Sequence, residues 1–181
     1  MRRRGDAIIE KPDRQMKHRG KLQLAQNVLS GVVAAEITLA SIAIVHAGII
    51  LGLLFGGNPA GDGEFISMGL LLALSVFTIA IAWKCRQAQT RAWLLMYPLL
   101  VLKTFGFSGA LAQYYFYTGA AWYLQFDSAT DFKTNFDLGG QFVLNFDPPA
   151  DLMRFGINII ALVVLLAASW ARGQLRSATG R

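Results

Sequence analysis

Two ionisable side chains, Glu36 and Lys103, stand inside long apolar stretches of this 181-residue chain, and they offer its sharpest chemistry. A central acidic or basic side chain costs about 2.5–3.5 kcal/mol to insert into a bilayer, so each needs a partner. At about 1.5 Å per residue, Glu36 lies about 12 Å from a core boundary at Val28 and Lys103 about 15 Å from one at Trp93. Similar depths make an ion pair the expectation, within one subunit or between subunits. Such a pair either fixes helix packing or lines a path for a proton, an ion or a substrate. A third reading pairs each charge with another protein or a lipid head group. Pro98 lies five residues before Lys103, where it removes a backbone donor and predicts a kink.

Other reactive groups are sparse. His46 would need further ligands to hold a metal or haem, and the only other histidine is His18. A single Cys85 excludes an intramolecular disulfide. The sequence holds no phosphate-cradling glycine loop, nucleophile turn, His-Glu-x-x-His or paired Cys motif. The expectation is therefore no catalytic residue, no metal and no cofactor beyond bound lipid.

The elements that must position these residues follow from composition. Hydrophobic residues make up 54% of the chain and charged residues only 15%. Because the apolar residues are gathered into runs, they predict transmembrane helices at about 28–56, 65–83, 93–117 and 153–171. Residues 1–27 form a basic arm and 173–181 a basic tail, flanking a membrane domain over 28–172. Lys84, Arg86 and Arg91 fall between the second and third spans, whereas Asp62 and Glu64, and the acidic loop 121–151, lie on the other side. The positive-inside rule then puts both termini in the cytoplasm, with a bacterial inner membrane as the expected location. The net charge of +6 reads as topology and not as a nucleic-acid surface.

Within the first span, Glu36, Ala40, Ala43 and Ala47 share a helical face, and Gly48, Gly52 and Gly56 repeat every four residues. Small residues let backbones approach closely, so this is the predicted helix-packing surface. In the outer loop, Gly139-Gly140 predicts a β-hairpin pairing 132–137 with 141–146. Its phenylalanines, Phe132, Phe136, Phe142 and Phe146, are the expected partner contacts. The fold class expected is thus an all-α integral membrane protein of four helices with a small extracytoplasmic hairpin. The expected function is a non-catalytic membrane subunit packing with lipids, other membrane proteins or copies of itself. The alternative is a small homo-oligomeric channel or transporter with a polar path at Glu36 and Lys103, and a membrane enzyme comes third.

Overall fold

A computed structural model of the chain describes residues 12–55, 62–87, 91–109, 111–127, 132–146 and 153–179. Helix α1 spans Pro12–Phe55, α2 Asp62–Arg86, α3 Ala92–Thr104 and α4 Ile159–Thr179. Strands β1 (Phe105–Ser108), β2 (Gln113–Asp127), β3 (Phe132–Asn145) and β4 (Arg154–Asn158) stand between α3 and α4. The all-α expectation is therefore overturned: the described residues form a mixed fold with a four-stranded antiparallel sheet. Three helices, over Arg19–Phe55, Glu64–Arg86 and Ile159–Ala178, are long and apolar enough to cross a membrane. These make it a membrane protein by length and composition.

Each error in the helical reading has a local cause. The third apolar run stops being helix at Thr104 and continues as β1 and β2, because the residues after Lys103 are aromatic and glycine-rich. Such residues suit a pleated, half-buried surface, and apolarity alone cannot separate a core strand from a span. The predicted hairpin is wrong in the same region. Gly139-Gly140 is no turn but the middle of the continuous strand β3, which pairs with β2 from Phe126↔Phe132 to Gln113↔Asn145. Residues 154–158, assigned by sequence to the fourth span, are strand β4.

The sheet is folded back on itself. Strand β1 pairs antiparallel with the start of β2, through Phe107↔Tyr114, and β4 with its end, from Tyr123↔Asn158 to Asp127↔Arg154. Yet β1 and β4 also pair antiparallel with each other, which straight strands could not do. Strand β2 therefore reverses its course near Gly119, and β3 follows it through Gly139 in register. Both glycines have positive φ, 80° and 130°, a conformation that costs other residues dearly.

The reversal encloses a tyrosine core. Tyr115, Tyr117, Ala121 and Tyr123 pack together within the fold, against Val143. Facing them, Gly106 and Gly156 are cross-strand partners, and a Cβ at Gly106 would stand 2.6 Å from the Tyr115 ring. Glycine there makes room for the rings. A second core, built on Leu71, Met96, Leu100 and Phe116, joins the sheet to the helices.

Candidate functional site

The bend of the β2–β3 ribbon rests on one face of α1. Ala40, Ala43 and Ala47 are all fully buried on that face, at helical spacing from Glu36. A Cβ at Gly140 would lie 2.8 Å from Ala43 Cβ, so the strand backbone touches the alanine directly. Gly119 abuts the Leu39 backbone, and Gly139 the His46 ring. The Gly140 N–H donates to His46 Nδ1 at 2.9 Å. The small-residue face of α1 thus accommodates strands as well as the Leu71 side chain of α2, which also reaches Gly140. Gly48 and Gly52 lie further along α1, exposed, and a Cβ on either would meet nothing within 4 Å. Gly56 lies outside the described residues.

Glu36 and Lys103 meet directly below this bend. Lys103 Nζ donates to Glu36 Oε2 at 2.5 Å, with both side chains at most 3% exposed. Lys103 is in the last turn of α3, where a cation complements the helix dipole. Its ammonium also lies 5.9 Å from the Phe116 ring centroid, over an aromatic face contributed by β2. One buried charge pair therefore ties α1, the end of α3 and the sheet together. Pro98 sits inside α3, which continues through it to Thr104.

Above the pair, the Tyr117 hydroxyl donates to Asp137 Oδ2 across the two strands. Asn158 joins sheet to helix: its Oδ1 accepts from the Trp122 N–H at 3.2 Å and from the Ile160 N–H at 3.2 Å. It caps the N-terminus of α4 and holds β2 at once. An Asn immediately before the apolar run Ile159-Ile160-Ala161-Leu162 is a helix-start signal that the sequence reading passed over.

The outer phenylalanines do not share one environment. Phe132, Phe136 and Phe146 are 57%, 60% and 75% exposed, while Phe142 is half-buried with its ring edge-to-face on Phe116. Among the described residues, no group of three metal-ligating side chains gathers.

Open space at Gly48 and Gly52 has a measurable consequence. Alanine at either position is expected to leave the isolated chain unchanged or stabilise it by about 0.5–1 kcal/mol, because alanine is the better helix former. Chemical unfolding in detergent checks this. Destabilisation of the assembled protein alone would locate a contact between chains at these glycines.

No family model, curated protein or solved structure matches this chain.

Proposed function

We propose that this chain is a non-catalytic membrane subunit whose helices carry a folded β-ribbon as an assembly surface for another membrane chain. One observation carries the reading: among the described residues β3 pairs on one side only, and residues 132–138 are exposed throughout. Unpaired strand edges recruit another strand unless they are blocked.

The membrane sharpens the point. With Lys and Arg gathered before the apolar run of α1 and at the C-terminal ends of α2 and α4, both termini lie in the cytoplasm, as in a bacterial inner membrane. Leu39 then stands about 16 Å above Val28, in the middle of a hydrocarbon core about 30 Å thick. β2 touches α1 there, at Gly119, while β3 touches it further out, Gly140 at Ala43 and Gly139 at His46, about 27 Å above Val28. The unpaired edge of β3 therefore stands at the outer boundary of that core, where a strand of another chain can reach it.

Gentle detergent extraction followed by native mass spectrometry tests the reading. The expected result is a defined complex holding more than one polypeptide. A lone chain that conducts ions or turns over a substrate in liposomes would overturn it.

A further inference from the structure

We infer that the corner where the end of α2, the start of α3 and α4 converge is a binding site for the phosphate of an anionic phospholipid, with Arg172 as its central cation. The site is separate from the β3 edge. It begins with a charge that lacks a counter-charge. Arg172 is only 8% exposed, a buried guanidinium in a chain whose residues 65–126 and 152–181 hold no Asp or Glu. The one acidic residue within 14–61 is Glu36, and Lys103 already takes it. Among the described residues, the contacts of the Arg172 head are aromatic: its Cζ stands 5.7 Å from the Trp93 ring centroid and 5.5 Å from that of Tyr97. Those ring faces offset part of the cost of burying the charge, and they leave the five N–H donors of the guanidinium to be met by another acceptor.

Depth names the acceptor. Trp93 marks the cytoplasmic boundary of the hydrocarbon core, and Tyr97 lies one turn, about 6 Å, further in. The Arg172 head, held against both rings, is therefore at the level where lipid phosphates begin, and its planar fork matches two phosphate oxygens. Helix α3 adds to the site. Its N-cap residue, Arg91, makes no side-chain cap, and its first turn holds no acidic residue, so the positive end of the helix opens beside Arg172 without neutralisation. The Cys85 thiol near the end of α2 lies within reach of the same charge, and Lys84, Arg86 and Arg91 stand exposed on that side. Such a basic rim at the cytoplasmic face draws in anionic headgroups, whereas a zwitterionic one brings a cation of its own. Acyl chains hold a lipid phosphate at this depth, which a free phosphate reaches only by giving up water.

Lipid competition read by native mass spectrometry tests the site. The delipidated protein in mild detergent is offered phosphatidylglycerol and phosphatidylcholine of the same acyl composition. The wild type is expected to retain one phosphatidylglycerol per chain with a preference of about tenfold, the scale of a charge-assisted bidentate contact. Arg172→Gln should abolish the preference, while Lys21→Gln, which removes an exposed charge from the cytoplasmic end of α1, should leave it in place. Arg172→Lys keeps the charge without the fork and should fall between. Wild-type protein that takes both lipids equally overturns the inference, whatever becomes of the variants. So does a preference that survives Arg172→Gln, or one that Lys21→Gln removes as fully, because the basic surface then acts diffusely. Excess inorganic phosphate separates the two sources of the anion. Unchanged phosphatidylglycerol occupancy supports the lipid site, and its displacement assigns the site to soluble phosphate and overturns the lipid.

Discussion

Replacing Glu36 with leucine is expected to destabilise the protein by about 3–5 kcal/mol, because it leaves the Lys103 ammonium buried without its counter-charge. Lys103→Met should cost a similar amount by stranding the carboxylate. The double variant is the decisive one. Well-packed apolar residues of similar volume replace buried ion pairs at little cost, and sometimes stabilise. Glu36→Leu with Lys103→Met should therefore recover most of the loss, read as unfolding in detergent by denaturant or sodium dodecyl sulfate. Exchanging the two charges should recover less. A glutamate at 103 would sit in the last turn of α3, against the negative end of the helix dipole, and would lose the contact with the Phe116 ring. The double apolar variant also separates the two roles considered for the pair. A packing role leaves assembly at the wild-type level in that variant; a path for protons or ions leaves assembly intact and abolishes conduction.

What the sequence made legible divides along physical lines. Glu36 and Lys103 stand out because a charge in an apolar run is costly anywhere, so composition alone singles them out. Their 2.5 Å separation is what the three-dimensional structure adds. The long apolar helices α1, α2 and α4 were equally readable from run length. The sheet was not. Residues 105–127 are as apolar as a span, and the mark of a strand there is an aromatic and glycine-rich composition with imperfect alternation. Alternation fails because the folded ribbon buries both faces of β2, one on the helices through Phe116 and one in the tyrosine core. Gly139-Gly140 misled for a related reason. A glycine pair marks a turn when the chain reverses alone, and here two strands bend together, with Gly119 directly opposite Gly139. Nothing local in the sequence announces that Leu39, eighty residues earlier in the chain, will press against that bend.

Gly119 is accordingly the position where the smallest substitution should do most damage. Two independent costs meet there. Its φ of +80° lies in the left-handed region, which costs other residues about 1–3 kcal/mol. An added Cβ would also collide with Leu39 Cα and the Leu39 carbonyl oxygen, and helix backbone cannot rotate away as a side chain can. Overpacking of that kind adds about 1–3 kcal/mol, so Gly119→Ala should cost about 2–6 kcal/mol in all. The loss should be local before it is global. Helices α1, α2 and α4 retain their own apolar faces in lipid, while the ribbon loses its seat on α1, including the Gly140 bond to His46. Hydrogen exchange by mass spectrometry should show amides of β2 and β3 deprotected and those of α2 unchanged. Gly48→Ala, on α1 but facing open space, is the control and should leave both regions as they are. If Gly119→Ala leaves β2 and β3 as protected as in the wild type, the ribbon is not seated on α1. The same variant reaches the ion pair, because Phe116, three residues before the bend, covers Lys103 from the sheet side. Losing the ribbon exposes that ammonium, so Gly119→Ala combined with the apolar double substitution should be less damaging than the sum of its parts.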